Sequence, residues 1–280
     1  MVGKPIFVVP FLYNLNIAEE DGMGVERKLA REQLYNDPPS SKTVVVVICY
    51  PHISMTEDLL PLETDDRFQV EWRQKCLPRR HENTVVILPG SRQTRSDLQW
   101  LMESPWKDYL IQHVQAGGRV LGLCGGYQML GEVLVDETGV EAGDVGSSVG
   151  LGFLPMETRL EAASDKVIRP VSGEIMDEGI PVQGFEIHCG QTQVMEDRTK
   201  AVRPLLRLED GQEDGLFCGS VYGTYLHGIL RSRRARSFLL LGCVNSGEED
   251  SKSVDPLDRL ASHLESCGLN YETLHAMLYR

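Results

Sequence analysis

The sequence predicts an α/β fold built on a mostly parallel sheet, and three observations carry that expectation. The runs 43-TVVVVICY-50, 84-TVVILPG-90 and 119-RVLGL-123 are continuously apolar. A strand exposed on one face alternates polar with apolar residues, so these runs read as strands covered on both faces. Between the second and third lies a helical pattern, and another begins after the third, which gives the strand-helix-strand order of such sheets.

The elements follow in chain order. Residues 4-KPIFVVPFLYNL-15 read as a short buried strand leaving through a proline, and 35-YNDPPSSK-42 is a linker by composition. In 96–117 the later half places Trp106, Tyr109, Leu110 and Val114 at helical spacing before the stop at Gly117-Gly118. Downstream, 182-VQGFEIHCGQT-192 and 219-GSVYGTYLHGIL-230 mix aromatic and β-branched residues with glycines and read as strands or strand-loop junctions. From 232 onward the chain reads as helical, with Leu257, Leu260 and Leu264 on one face before Gly268.

Composition narrows the function classes. A chain of 280 residues with 41% apolar and 25% charged residues can bury a sizeable core and is expected to be globular. Its formal charge of −13 argues against non-specific binding to nucleic acid or anionic lipid, which requires Lys and Arg to neutralise phosphate. The seven cysteines are scattered and form no C-x-x-C pair, against a disulfide framework or a Cys-rich zinc site, so no metal is expected. The first twenty residues show no basic start followed by an apolar run, and no stretch approaches the roughly 20 apolar residues needed to span a bilayer. A reducing, cytoplasmic setting is the expectation.

Chemistry concentrates in 118-GRVLGLCGGYQMLGE-132. Ligands of such sheets bind at the carboxyl ends of the strands, where Cys124 sits. Gly122-Leu123-Cys124-Gly125-Gly126 has the form G-x-C-x-G, the thiol counterpart of the elbow that holds a hydrolase serine on a strained strand-to-helix turn. The start of the following helix carries partial positive charge, which favours a thiolate, and the Gly125 amide could stabilise an oxyanion. A buried cysteine in a glycine-rich turn is the alternative. His227, in 222-YGTYLHG-228, also ends an apolar strand, and a distant Cys-His pair meeting at one sheet edge is the layout of thiol acyl transfer; by itself it could equally be a structural histidine. Gly90, in 87-ILPGSRQT-94, could bring a second oxyanion amide to the same edge or be an ordinary turn.

Taken in order, ILPGSRQTRSDLQWL, RVLGLCGGYQMLGE, GFEIHCGQT and VYGTYLHGIL resemble the class I glutamine amidotransferase domain of cobyric acid synthase. The likeness extends over about residues 43 to 278. In 43-TVVVVICYPHISMTEDLLPL-62 it includes the family's Ile-Ser-Asn-x-Thr-Asp loop, read with Met55 where Asn is usual and Glu57 where Asp is usual. The fold implied is a flavodoxin-like three-layer, mostly parallel sheet with a C-terminal helical tail. The domains implied are an extension over 1–41, similar in 3–22 to the end of an ATP-dependent synthetase domain, the amidotransferase domain over 42–231, and its tail over 232–280.

The resemblance implies that Cys124 attacks the side-chain amide of glutamine, that His227 serves as acid and base, and that Gly90 and Gly125 supply oxyanion amides. Gln128 would contact the glutamine, unless it only caps the helix. Where many class I amidotransferases place Glu two residues after the histidine, this chain has Ile229, and Glu186 and His188 are the candidates to orient the ring. Glutamine is the substrate and no cofactor is expected in this chain; ATP and Mg would act only through a synthetase domain, since no phosphate-cradling G-x-x-x-x-G-K-[ST] is present. The ammonia would amidate corrinoid carboxylates in cobalamin biosynthesis. Two alternatives stand beside this: an amidotransferase subunit of lipid II isoglutaminyl synthase, which shares the C-G-G-Y-Q and G-T-Y-L-H-G signatures, and a non-catalytic relic kept as a binding module.

Overall fold

A computed structural model describes residues 7–10, 12, 23–30, 42–76, 83–141, 145–160, 167–195, 201–244 and 256–278. The chain divides into two compact units, residues 20–250 and a smaller one that joins 1–19 with 251–280. The expected tail over 232–280 is thus split, its last thirty residues grouping with the N-terminus.

In the larger unit, helix α1 (Met23–Leu29) precedes β1 (Thr43–Ile48), the two-residue β2 (Ile53–Ser54) and helix α2 (Leu60–Glu63). Then come β3 (Phe68–Arg73), β4 (Thr84–Leu88), the short β5 (Gly90–Ser91), helices α3 (Thr94–Glu103) and α4 (Trp106–Gln115), β6 (Arg119–Leu123) and helix α5 (Gly125–Met129). The chain continues through β7 (Val133–Asp136), β8 (Gly146–Val149), β9 (Met156–Leu160), β10 (Val167–Ile175), β11 (Ile180–His188) and β12 (Gly190–Val194). It closes with β13 (Arg203–Leu208), β14 (Glu213–Cys218), β15 (Val221–Thr224), β16 (Leu226–His227) and helix α6 (Arg233–Arg236). The smaller unit holds helices α7 (Pro256–Ser266) and α8 (Tyr271–Leu278).

The main sheet runs β16-β11-β10-β13-β14-β15-β6-β4-β1-β3. Five strands, β15, β6, β4, β1 and β3, are parallel. Their middle is the predicted core: Val44 to Ile48 and Val86 to Leu88 are at most 1% exposed. Helices α3 and α4 are separated at Ser104-Pro105, because proline has no N–H to continue the first helix. Gly117, at φ 80°, ends the second where other residues would be strained. Trp72 on β3 and Trp106 on α4 are buried with their indole N–H groups satisfied by Glu63 Oε1 at 2.9 Å and the Gln74 carbonyl at 3.0 Å.

The α/β expectation holds, but the sheet is parallel over only half its width. From β14 to β16 every pairing is antiparallel. The reason is local: β10 and β11 are joined by a tight turn in which Asp177 and Gly179 take φ of 68° and 58°, and such a hairpin needs no crossover helix. Smaller sheets, β12-β9-β7-β8 and β2-β5, stand beside the main one.

The buried strand expected over 4–15 is not observed at its described residues: 7–10 and 12 have no regular structure, and Val8 is 81% exposed. The rest of that stretch, and the linker at 35–41, lie outside the described residues. No described helix is long and apolar enough to cross a membrane.

Candidate active site

Cys124 lies between β6 and α5 with φ 50° and ψ −110°, one of three non-glycine residues at positive φ among those described. Such backbone costs on the order of 1–3 kcal/mol and persists only where packing dictates it. The packing here requires glycine: a Cβ on Gly126 would fall 1.9 Å from the Leu88 carbonyl oxygen, and one on Gly122 2.7 Å from that of Gly126. The helix can therefore press directly on the end of β4. Cys124 N–H donates to Thr224 O at 2.9 Å, and the half-buried thiol donates to Ile187 O at 3.4 Å.

His227 reaches the same sheet edge from the other side. It lies on β16, paired with Phe185 of β11, and is 3% exposed. Its Nδ1 hydrogen-bonds Asp58 Oδ2 at 2.6 Å, while the other oxygen of Asp58 accepts the Gly228 N–H at 2.7 Å. A carboxylate on Nδ1 fixes the tautomer and aims Nε2 away from itself. That Nε2 is buried and makes no hydrogen bond. Burial alone would lower the pKa of the ring, but the hydrogen bond to Asp58 and the charges of Asp58 and the neighbouring Cys124 outweigh it and lift the value to about 10. Cys124 is thus an electrostatic neighbour of the ring, while its thiol hydrogen is directed to Ile187.

The sequence reading sets Glu57 at the Asp of the loop pattern and offers Glu186 and His188 as the orienting groups, so Asp58 is not among its candidates. Counted from Ile53, the sixth place of the Ile-Ser-Asn-x-Thr-Asp pattern is Asp58 itself, so the signal was present one residue further on. A tight turn over Thr56–Leu59, entered through Met55 at φ 54°, carries Asp58 inward to 6% exposure.

The two residues expected to orient the ring do other things. Glu186 accepts from Arg169 Nε at 2.6 Å, and that arginine also reaches Asp210. His188 contacts the Gly190 carbonyl through Nδ1 at 2.8 Å and stacks on Tyr225 with ring centroids 3.9 Å apart. Burial lowers its pKa, which leaves the ring neutral. Gln128 is 3% exposed and donates to the Tyr225 hydroxyl at 3.1 Å.

Gly90 and Gly125 are brought together around β5. Gly90 pairs with Ser54 across the β2-β5 ladder, and a Cβ on Gly125 would lie 2.9 Å from the Ser91 nitrogen. Near the break between β15 and β16 sits Asp214, 7% exposed, which accepts from the Thr224 hydroxyl and from Tyr225 N–H at 3.2 and 3.3 Å. Burial raises its pKa to about 6 despite those donors.

A sequence model of the CobB/CobQ-like glutamine amidotransferase domain matches residues 44–235. The chain belongs to this family. Among curated members, the cobyric acid synthase of Bradyrhizobium sp. strain ORS 278 is 41% identical over 226 residues, covering 79% of this chain and 44% of the relative. That of Vibrio vulnificus strain YJ016 is 39% identical over 238 residues, covering 83% of this chain and 46% of the relative. The amidotransferase chain therefore spans about half the length of the curated relatives it matches. Among solved structures, PurLQS from Thermotoga maritima aligns with a TM-score of 0.46 at 16% identity, over 80% of this chain and 99% of that one.

Proposed function

We propose that this amidotransferase hydrolyses glutamine through Cys124 and His227, with Asp58 orienting the histidine. The Cys124 thiol gives its proton to His227 Nε2 as the sulfur attacks the side-chain amide carbon, and the carbonyl electron pair moves to oxygen, where the amides of Gly90 and Gly125 stabilise it. As the pair returns, the C–N bond breaks and His227 Nε2–H protonates the departing nitrogen as ammonia. The remaining glutamyl thioester is attacked by water, whose proton passes through His227 to the departing sulfur, releasing glutamate and the thiol. Gln128, beside the nucleophile on α5, contacts the substrate. Glu186 and His188 shape the neighbouring edge.

The observation that carries this reading is the Asp58–His227 pair with its buried, unbonded Nε2 beside Cys124. It also weighs against the non-catalytic relic, since the orienting carboxylate is as intact as the two reacting groups.

The relatives' name directs the use of the ammonia: ATP-dependent amidation of corrinoid carboxylates in cobalamin biosynthesis, by a synthetase domain or subunit that holds ATP and Mg. The scattered cysteines, with no C-x-x-C pair, support a reducing cytoplasmic setting. The test is ammonia release from glutamine, with Cys124→Ala as control, alone and with a cobyric acid synthase synthetase domain added. Activity that depends on Cys124 and rises with that domain is expected. Release equal to the Cys124→Ala background in both settings would refute the assignment.

A further inference from the structure

The side chain of Gln128 ends in an amide with N–H donors on one side and an acceptor oxygen on the other, so its orientation decides which of them a ligand meets. Helix α5 fixes where the side chain begins, but the terminal amide torsion has only broad preferences of its own. Here Nε2 donates to the Tyr225 hydroxyl at 3.1 Å. Among the described residues, no group donates to Oε1.

Tyr225 fills the one-residue break between β15 and β16 and is itself held from several sides. Its N–H is bound by Asp214, and its ring stacks on His188 and meets Tyr127 edge-on with centroids 5.1 Å apart. Burial foremost holds its pKa far above the ordinary tyrosine value, so the hydroxyl keeps its hydrogen. That hydrogen has an acceptor of its own: Thr192 Oγ1 lies 2.7 Å from the phenol oxygen, and 2.7 Å from Thr158 Oγ1, directly opposite on the β12-β9 ladder. Each hydroxyl can therefore accept from one neighbour and donate to the next, in a chain that begins at the Gln128 N–H. The start of β12 also makes room for the amide, since a Cβ on Gly190 would fall 2.4 Å from Nε2. The amide thus turns its nitrogen to Tyr225 and its oxygen away from it.

We propose that Tyr225 is a positioning residue for substrate binding, its hydroxyl holding the Gln128 amide so that Oε1 accepts from an N–H donor of glutamine. Glutamine carries such donors in its α-ammonium and its side-chain amide. Tyr225 acts through Gln128 and not on the reacting atoms. This role rests on the glutaminase reading above, in which Gln128 contacts the substrate.

The experiment compares glutamine hydrolysis by wild type, Tyr225→Phe, Gln128→Ala and the double variant, with the synthetase domain added. Phenylalanine keeps the ring that stacks on His188 and removes only the hydroxyl. A contact made equally to bound substrate and transition state shows in KM, so Tyr225→Phe is expected to raise KM about tenfold with kcat held within about threefold. In the Gln128→Ala background the same change is expected to shift KM by less than about twofold, because two residues acting as one unit are not additive. Alkylation of Cys124 by iodoacetamide, followed by peptide mass, should keep the wild-type rate. An unchanged KM in Tyr225→Phe would overturn the role, and so would an equal rise with and without Gln128, or slowed alkylation, the mark of general disturbance. If Tyr225→Phe does not fold, Thr192→Val, which removes the acceptor of the phenol hydrogen, decides by the same cycle. Should wild type itself release no Cys124-dependent ammonia, the glutaminase reading fails and this role with it; ammonia release with KM unmoved by the variants refutes this role alone.

Discussion

The two halves of the main sheet are built on different rules. In the parallel half, β1 and β4 are apolar from end to end and covered on both faces. In the antiparallel half, β11 alternates buried with exposed positions along its first residues, and Ile168 and Phe185 remain 68% and 46% exposed. The seam between them is β15 against β14; Cys124 ends β6, the other neighbour of β15, and His227 follows β15 after a one-residue break. One half supplies a rigid platform. The other supplies an edge that carries His227 on a strand of two residues.

Two glycines test this contrast most severely. Gly126→Ala would drive a methyl into the Leu88 carbonyl of the platform, and Gly184→Ala into the His227 carbonyl, 1.8 Å away, at the edge. We expect Gly126→Ala to prevent folding or cost more than about 4 kcal/mol, well outside the ordinary range for a substitution. Gly184→Ala should be tolerated better, because β16 can shift, while glutaminase activity collapses. Denaturation curves and ammonia release on both variants decide it, and equal loss of stability would erase the distinction.

The next largest effect bridges the halves. Asp58→Asn should lower kcat by about a hundredfold or more, as loss of an orienting carboxylate does elsewhere. The sign of the pH dependence follows from the raised pKa of His227. Its protonated ring stabilises the fold fully below the unfolded value of about 6.5, and this is lost as pH rises through the folded value of about 10. Unfolding free energy measured between these limits should decline in wild type and much less in Asp58→Asn.

Core substitutions separate the halves directly. Leu121→Ala, at a fully buried site on β6, should cost about 3 kcal/mol. Ile168→Ala, on an exposed face of β10, should change stability by less than about 0.5 kcal/mol. The smallest and most conditional effect belongs to Asp214. With its pKa raised to about 6, ionisation opposes folding as pH climbs from the unfolded value toward neutrality. Asp214→Asn should flatten that slope, by on the order of 1–3 kcal/mol between pH 4 and 7. A slope unchanged by the substitution would contradict the assignment.

The same contrast explains what the sequence disclosed. Val44 to Ile48, Val85 to Leu88 and Val120 to Leu123 announce themselves because burial on two faces leaves no polar position to disguise them. The elbow was equally open, since only glycines can flank Cys124 at that spacing. β10 was not: 167-VIRPVSGEI-175 carries a proline and a glycine and is half exposed, so nothing local marks it as a nine-residue strand. Asp58 lies 169 positions from the histidine it holds, and only its place in a short loop pattern could have pointed to it. Glu186 draws the expectation through its place in GFEIHCG, and its own partner, Arg169, sits on the strand that nothing local marks.

The placement of indole rings has a practical consequence. All three tryptophans, Trp72, Trp100 and Trp106, precede β6 in the chain, and two of them are sealed within the apolar interior. Ultraviolet emission from this protein will therefore register melting of the platform and remain nearly silent when the histidine-bearing margin loosens first.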